Sequence, residues 1–276
     1  SDPGDTEFAA GDLVVAFVRR PDPVPCGACA IGEWDMCRNG EYTEHGIKGL
    51  HGFARERWRV PPDALVRVNA TLTDVAVLME PTTIVAKAWE QIERIGQRAY
   101  FEPKVVAVTG AGPIGLLAAL LGRQRGLEVH VFDLVTDGPK PDLVADLGAT
   151  FHTTSMPDSG VNPDIVLECT GVPKVVVDAI THNGVNGIVC LTGVSSGGRQ
   201  VPLDVGHLNR TAVLENDIVF GTVNANRRHY EAAAAALAAA DESWLTRLIT
   251  RRVPLADFAD GFAKRPDDVK VVLTIP

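Results

Sequence analysis

The feature that most constrains the fold is a glycine pattern, Gly-Ala-Gly-Pro-Ile-Gly, that begins at Gly110. It directly follows an apolar run, residues 104–109, and opens a second apolar stretch, residues 114–125. Each glycine has its own reason when a strand turns at once into a helix. Gly110 permits the tight turn, Gly112 lets a ligand approach the backbone, and Gly115 lets the helix pack against the strand. The pattern therefore predicts a buried strand over 104–109 and a helix over 114–125.

The same pattern predicts a site for a nicotinamide dinucleotide. The N–H groups and the dipole of a helix N-terminus attract phosphate, so the pyrophosphate of NAD or NADP is expected against this turn. The expected contacts are Gly110, Gly112, Pro113, Ile114 and Gly115. The alternative is that the three glycines form a turn without a ligand.

A carboxylate ends the next predicted strand, residues 128–132. Asp133 lies 23 residues after Gly110, near the position from which an acidic residue binds the adenine ribose hydroxyls. No arginine stands at 134–136 to receive a 2′-phosphate, which favours NAD over NADP. Lys140 is close enough in sequence to keep NADP possible. The alternative interpretation is that Asp133 merely ends a strand.

Strand-like and helix-like segments alternate from residue 81 onward, which indicates a parallel sheet with crossover helices. The further predicted segments are strands 164–168, 187–192, 217–220 and 269–275, and helices 141–147, 173–180 and 227–240. We therefore expect an α/β fold with a Rossmann, doubly wound parallel sheet over residues 81–250. Thr170, Gly193 and Val194 follow strands at carboxyl ends, where such sheets bind ligands, so they are further candidates for cofactor contacts. Ordinary loop chemistry is the alternative for them.

Residues 1–80 are typical of short strands and loops. Pro21, Pro23 and Pro25 interrupt any long regular element in this part. Strands are predicted over 12–17, 53–60 and 64–68. We therefore expect a separate domain before the doubly wound sheet.

Charge and cysteine usage bound the function class. The net charge is −9, which argues against nucleic acid or an anionic membrane as partner, since both reward a basic surface. No apolar run approaches the roughly 20 residues that span a bilayer. The five cysteines are an odd number and three of them cluster, which favours a reduced, cytoplasmic protein over a disulfide framework.

The clustered thiols are Cys26, Cys29 and Cys37, with spacings typical of a metal site. A structural zinc ion normally takes four ligands, so a fourth is needed. Asp22 could supply an oxygen, whereas Pro23 cannot ligate. The sequence leaves two alternatives open, a structural zinc site or an empty lobe.

Three further segments carry a family resemblance. Residues 44–53 read Glu-His-Gly-Ile-Lys-Gly-Leu-His-Gly-Phe, residues 78–81 read Leu-Met-Glu-Pro, and residues 221–224 read Gly-Thr-Val-Asn. In this order, around the glycine pattern, they resemble the zinc-dependent glucose 1-dehydrogenases of the medium-chain dehydrogenase/reductase superfamily. The resemblance implies a partial GroES-like, β-rich catalytic domain over 1–80, and a C-terminal segment, 251–276, that returns to it. The cysteines match the last three of that superfamily's four-cysteine lobe.

The resemblance also implies roles for three side chains. Glu80 matches the residue that lies at the catalytic zinc, directly or through water. Glu44 matches a carboxylate that hydrogen-bonds sugar hydroxyls, and Asn224 matches a side chain that reaches both the sugar and the nicotinamide. Without the resemblance, the alternatives are a surface carboxylate for Glu44, a favourable helix N-terminal charge for Glu80, and a turn residue for Asn224.

The chain departs from the family at its beginning. The family's early segment carries a zinc-ligating cysteine and a Gly-His-Glu motif, and neither stands in this sequence. We expect only a partial catalytic zinc site here, and weak turnover by this chain.

The expected function is NAD(P)-dependent, zinc-assisted oxidation of the C1 hydroxyl of an aldose, glucose to gluconolactone, by a homodimer or homotetramer. Relatives assemble through the edge of the Rossmann sheet, and the strand at 217–220 is the candidate edge. The alternatives are another zinc-dependent polyol or secondary-alcohol dehydrogenase, and a nucleotide-binding module without catalysis.

Overall fold

The structure is a computed structural model that describes residues 7–276. The described chain divides into two compact units. Unit 1 comprises the described residues up to Thr83 together with Asn224–Pro276, and unit 2 is the continuous stretch Ile84–Val223. This division differs from the expected boundaries at 80 and 250. Residues 224–250 belong with the N-terminal part because they pack on it, as Tyr230 does against Phe17, with ring centroids 4.8 Å apart.

The strands are short in unit 1 and longer in unit 2. In chain order they are β1 (Val14–Ala16), β2 (Arg19–Arg20), β3 (Thr43–His45), β4 (Gly49–Leu50), β5 (Leu65–Arg67), β6 (Val105–Thr109), β7 (Glu128–Phe132), β8 (Thr150–His152), β9 (Ile165–Glu168), β10 (Ile188–Leu191), β11 (Ile218–Gly221), β12 (Ile249–Pro254) and β13 (Lys270–Thr274).

The α-helices follow the same division. They are α1 (Gly27–Ala30), α2 (Met79–Gly96), α3 (Pro113–Gln124), α4 (Pro139–Asp146), α5 (Pro173–Thr181), α6 (Val205–Glu215), α7 (Arg227–Ala238), α8 (Glu242–Leu248) and α9 (Phe258–Phe262). Short 3-10 helices lie at Trp34–Met36, Pro62–Ala64, Ala70–Leu72, Ala76–Leu78 and Leu255–Asp257. None of the helices in residues 7–276 has both the length and the apolar character that crossing a membrane requires.

Unit 2 contains a six-stranded parallel sheet in the order β11-β10-β9-β6-β7-β8. Its central strands are apolar on both faces because helices cover both sides, so Val106, Val108 and Val166 are fully buried. The order runs outward from β6 in both directions, which is the doubly wound arrangement. The predicted fold class is thereby confirmed. The sequence did not reveal β8 or α6.

Unit 1 contains three small sheets among the described residues. β1 pairs with β5, β2-β3-β4 form a second sheet, and β12 pairs with β13. The strand predicted over 53–60 is wrong. These residues form no ladder, and Phe53 instead packs between the rings of His45 and Trp58, at centroid distances of 4.3 and 5.0 Å.

Candidate functional site

The glycine turn, which we define as residues 110–115, links β6 to α3 in unit 2. Gly110 has φ of +87°, a conformation that favours glycine. A Cβ on Gly115 would lie 1.7 Å from the Gly110 carbonyl oxygen, so only glycine fits where the helix meets the strand. A Cβ on Gly112 would meet nothing within 4 Å. The backbone at Gly112 is therefore open to a ligand.

The first turn of α3 is free to bind an anion. Gly112 precedes the helix and provides no side-chain cap, and Pro113 occupies the first helical position, where its missing N–H is not needed. The next N–H groups, beginning at Ile114, have no intrahelical acceptor by construction of a helix N-terminus. This geometry fits a dinucleotide pyrophosphate.

Asp133 directly follows β7 and turns back toward the glycine turn. Its Oδ2 accepts hydrogen bonds from the Ala111 N–H at 2.7 Å and from Lys140 Nζ at 3.2 Å, and its Oδ1 accepts from the Val135 N–H at 3.2 Å. Burial works against ionisation, yet the Ala111 N–H and the Lys140 charge hold the pKa of Asp133 below its ordinary value. Asp133 is thus a fixed carboxylate beside the glycine turn.

An apolar cavity of about 420 Å³ opens beside this carboxylate, and we call it the β7 cavity. Its walls include Gly110, Asp133, Leu134, Val172 and Val175. A flat heterocycle such as adenine is suited to an apolar slot with a carboxylate at its rim. The cavity therefore matches the nucleoside half of a dinucleotide.

Glu168 organises the loop that follows β9, and the sequence analysis missed it. It is fully buried, and its Oε1 accepts hydrogen bonds from the N–H groups of Thr170, at 2.7 Å, and Gly171, at 3.1 Å. Thr109 Oγ1, at the end of β6, donates to the same oxygen at 3.2 Å. A carboxylate that ends an otherwise apolar strand was the available signal, since a buried acid needs several donors.

The structure brings the predicted residues of the next two strand ends together. A Cβ on Gly193 would lie 2.1 Å from the Gly171 nitrogen, and one on Gly171 would lie 2.7 Å from the Val194 carbonyl carbon. Thr170, Gly171 and Val194 line a second cavity of about 610 Å³, with Arg199 at its edge. Glycine at 171 and 193 therefore permits two loops to approach closely at the carboxyl ends of β9 and β10.

The Glu44 site, defined as Arg19, Glu44 and Asn224, lies in unit 1. Glu44 Oε1 accepts hydrogen bonds from Arg19 Nε at 3.0 Å and from Asn224 Nδ2 at 2.6 Å. Both ion-pair partners are buried, with side chains 7% and 10% exposed. Among the described residues no donor contacts Glu44 Oε2. The carboxylate is therefore anchored through one oxygen and has the other free for a ligand.

Asn224 reaches Glu44 from a turn that follows β11 in sequence. Its φ of +62° is left-handed, a conformation that asparagine tolerates, and its Oδ1 accepts from the Ala225 N–H at 2.9 Å. The Ala225 carbonyl in turn accepts from Trp34 Nε1 at 3.2 Å. The turn is thus fixed on both sides of Asn224.

Glu80 lies in the first turn of α2, as a helix N-terminal carboxylate does. Desolvation raises the pKa of Glu80, while the charge of Lys270 opposes this shift. Burial and the neighbouring Glu80 charge also raise the pKa of Tyr230, whose hydroxyl accepts from the Val18 N–H at 3.3 Å. Of these three side chains Tyr230 is buried, Lys270 is half-buried and Glu80 is exposed.

The cysteine cluster, defined as Cys26, Cys29 and Cys37, has its three Sγ atoms within 4.8 Å of one another. A hydrogen bond from the Arg38 N–H lowers the pKa of Cys26 to about 6, whereas burial raises that of Cys29 to about 11. Asp22 is buried, and its Oδ2 lies 4.0 Å from Cys37 Sγ. Three thiols converge here, and the Asp22 carboxylate lies beside one of them.

A family match covers most of the chain. The family described as "Glucose dehydrogenase C-terminus" matches residues 73–275. A glucose 1-dehydrogenase of Methanocella arvoryzae is 39% identical over 278 residues, which covers 97% of this chain and 77% of the relative. This chain belongs to the glucose dehydrogenase family. The resemblance inferred from residues 44–53, 78–81 and 221–224 is thereby confirmed.

Further relatives agree with this assignment. Glucose 1-dehydrogenase 2 of Vulcanisaeta moutnovskia is 37% identical and covers 99% of this chain and 78% of its own length. The structure described as "Haloferax mediterranei glucose dehydrogenase in complex with NADP, Zn and gluconolactone" superposes with a TM-score of 0.91 at 29% identity. That match covers 99% of this chain and 80% of the Haloferax chain.

The two metal positions expected of a glucose dehydrogenase family member differ in their ligands. Within residues 7–276, the cysteine cluster is the single group of three or more side chains placed to hold a metal ion. Its thiol donors suit zinc, and the Asp22 carboxylate, 4.0 Å from Cys37 Sγ, lies outside this group of three. Glu80 belongs to no group of three or more metal-binding side chains in this part of the chain. Glu80 alone does not fit a catalytic zinc ion.

Proposed function

We propose that this chain takes part in NAD(P)-dependent oxidation of the C1 hydroxyl of an aldose, with glucose as substrate and gluconolactone as product. The observation that carries the proposal is the hydrogen bond between Glu44 and Asn224, which lie 180 residues apart in sequence. The family relatives are glucose 1-dehydrogenases, and the Haloferax relative is described in complex with gluconolactone.

The Glu44 site is suited to a polyol. Glu44 Oε2 can accept from one sugar hydroxyl, and the remaining Nδ2 hydrogen of Asn224 can donate to another. Arg19 holds the carboxylate in a single orientation, which limits the hydroxyl pairs that fit. An analogue without these hydroxyls would leave buried polar groups unmatched. The predicted contact of Asn224 with the nicotinamide stays a prediction.

The glycine turn and the β7 cavity fit NAD(P). The N-terminus of α3 would face the pyrophosphate, Asp133 the adenine ribose, and the loops at Thr170, Gly193 and Val194 the remainder. When bound, NAD(P) would supply the acceptor for the hydride of C1, and with loss of the hydroxyl proton C1 would become the lactone carbonyl. The protein's contribution is to hold both partners and exclude water.

Zinc has one candidate site in the described chain, the cysteine cluster. We propose that Cys26, Cys29 and Cys37 hold a structural zinc ion with Asp22 as the fourth ligand. When bound, this ion would fix the loop between β2 and β3. The proposed role of this zinc ion is structural: it stabilises the fold of unit 1 and takes no part in hydride transfer.

Assembly and location are proposed on separate observations. β11 is the edge strand of the unit 2 sheet, and Val219 on it is 47% exposed. We propose that this edge forms the interface of a homodimer or homotetramer, because an open edge offers unpaired backbone groups. All five cysteines are free, which supports a reducing compartment such as the cytoplasm.

The test is cofactor reduction with D-glucose, followed by the absorbance of the reduced nicotinamide, with zinc supplied and NADH affinity measured in parallel. The substitution E44Q should raise KM for glucose about tenfold, because an amide replaces the carboxylate that accepts from a sugar hydroxyl, and leave the Kd for NADH unchanged, because Glu44 is not among the predicted cofactor contacts. E41Q, at an exposed carboxylate near Glu44 in sequence, is the matched control.

Two outcomes would contradict the proposal. NADH binding without any glucose-dependent reduction would favour a nucleotide-binding module. Reduction with a secondary alcohol but not with glucose would assign the chain to another dehydrogenase activity of the same fold.

A further inference from the structure

Lys140 is placed to act on the cofactor as well as on the fold. It lies in the first turn of α4, and its Nζ is 3.2 Å from Asp133 Oδ2. Both side chains are largely buried, at 18% and 14% exposure. A lysine at a helix N-terminus opposes the helix dipole. Its position is therefore explained by Asp133 rather than by the helix.

The Asp133–Lys140 pair has hydrogen-bond donors and acceptors that are not engaged within the protein. A carboxylate offers about four acceptor positions. Asp133 uses two on Oδ2, for Ala111 and Lys140, and one on Oδ1, for Val135. The Lys140 ammonium has three N–H donors, and Asp133 is its one acceptor among the described residues. Donors of Lys140 therefore remain available beside the carboxylate expected to bind the ribose.

The charges of Asp133 and Lys140 bear on whether the adenine ribose can carry a 2′-hydroxyl, as in NAD, or a 2′-phosphate, as in NADP. A carboxylate beside the ribose 2′ position accepts a hydroxyl but repels a 2′-phosphate. A cation within ion-pair distance of that carboxylate offsets the repulsion and can itself bind phosphate. Lys140 contacts Asp133 from outside the lining of the β7 cavity, whereas Lys174, which does line the cavity, is already engaged with Asp178 at 3.1 Å. Lys140 is thus the cation that forms an ion pair with Asp133.

We propose that Lys140 is the specificity-determining residue that admits the 2′-phosphate of NADP beside Asp133. The chain then accepts both NAD and NADP, and removing the cation restricts it to NAD. The inference rests on the proposed cofactor site in the β7 cavity. It assigns opposite preferences to two side chains in contact, Asp133 for the 2′-hydroxyl and Lys140 for the 2′-phosphate.

The experiment measures the Kd of NADH and of NADPH by the fluorescence of the reduced nicotinamide. K140M should raise the Kd of NADPH about thirtyfold, as expected for loss of a charge-assisted hydrogen bond, and change that of NADH less than about threefold. K140R should retain NADPH binding because it keeps the charge. K104M is the matched control, since Lys104 is exposed and immediately precedes β6, at the opposite end of the sheet.

The outcomes separate the two proposals. Equal loss of NADH and NADPH affinity in K140M would mean that Lys140 only positions Asp133, and would overturn the inference. So would unchanged affinity for both, or an equal effect of K104M. If the unsubstituted chain bound neither cofactor, the proposed cofactor site itself would be overturned, and with it the inference.

Discussion

The glycine turn of unit 2 and the Glu44 site of unit 1 are assembled from very different lengths of chain. The turn is complete within six residues, 110–115, and its shape follows from glycine at three positions. The Glu44 site joins side chains that are 25 and 180 residues apart. The glycine turn depends on the backbone conformation of consecutive residues, so the spacing of glycines in the sequence predicts it. The Glu44 site depends on side chains that meet only when unit 1 is folded.

The largest expected effect tests whether the turn is as intolerant as its geometry indicates. G115A should destabilise unit 2 by about 4 kcal/mol or more, because the new Cβ meets the Gly110 carbonyl oxygen and the helix must move away from the strand. G112A should leave unfolding nearly unchanged, because its Cβ meets nothing within 4 Å, but should weaken NADH binding. Thermal unfolding of both variants measures their stability, and titration with NADH measures their affinity for the cofactor. Equal stability of the two variants would contradict the steric argument.

The second prediction addresses the long-range site. R19M leaves the Glu44 carboxylate buried without its cation, which should cost about 3–5 kcal/mol of unfolding free energy. The double variant R19M/E44M should recover much of that loss, since no buried charge remains. R20M is the control, because Arg20 makes no ion pair among the described residues. If R19M proved no more destabilising than R20M in urea unfolding, the ion pair would not anchor the site.

The third prediction separates metal from fold in unit 1. Saturating zinc should stabilise the protein by about 2–3 kcal/mol relative to the chelated form, as ligand linkage at about a hundredfold excess over Kd requires. One zinc ion per chain should be bound, and C29S should abolish both effects. C190S, at a buried cysteine of unit 2, should retain the zinc-dependent shift in Tm. A zinc-dependent shift that persisted in C29S would place the metal elsewhere.

The smallest expected effect concerns another local feature of unit 2, the N-terminal cap of α6. Asp204 caps α6, where its Oδ1 accepts from the His207 N–H at 2.9 Å. D204A should cost about 1 kcal/mol, whereas D204N should cost little, because asparagine is an equally good cap. Hydrogen exchange of the α6 amides measures the difference. Loss of protection in D204N as large as in D204A would show that charge, not capping, matters there.

Sequence reasoning succeeded where structure is local or fully buried. The strands β6, β7, β9 and β10 were found because helices cover both faces of the sheet and make each strand an unbroken apolar run. The glycine turn was found because its steric demands fall on consecutive residues. Asp133 was found from its spacing to Gly110, but its contact with Lys140 was visible only in the structure.

Sequence reasoning failed where tertiary contacts determine the local structure. Polar and apolar residues alternate over 57–60 as in a strand, yet ring packing of Phe53 with His45 and Trp58 takes the place of a ladder. The boundary expected at 250 misplaced α7, because apolar pattern does not reveal which unit a helix packs on. Arg19 carried no signal at all, since an arginine in a short strand says nothing about a partner 25 residues away.

The insertion of unit 2 into unit 1 has a consequence for synthesis on the ribosome. Unit 2 is continuous, so it can fold as soon as its last strand has emerged. Glu44 must wait for Asn224, which is 180 residues later, or roughly 10–35 seconds at elongation rates of about 5–20 residues per second. During that interval the N-terminal segment exposes the apolar faces of β1 and β5. The order of emergence therefore makes unit 1 the part of the chain most in need of protection while it is being made.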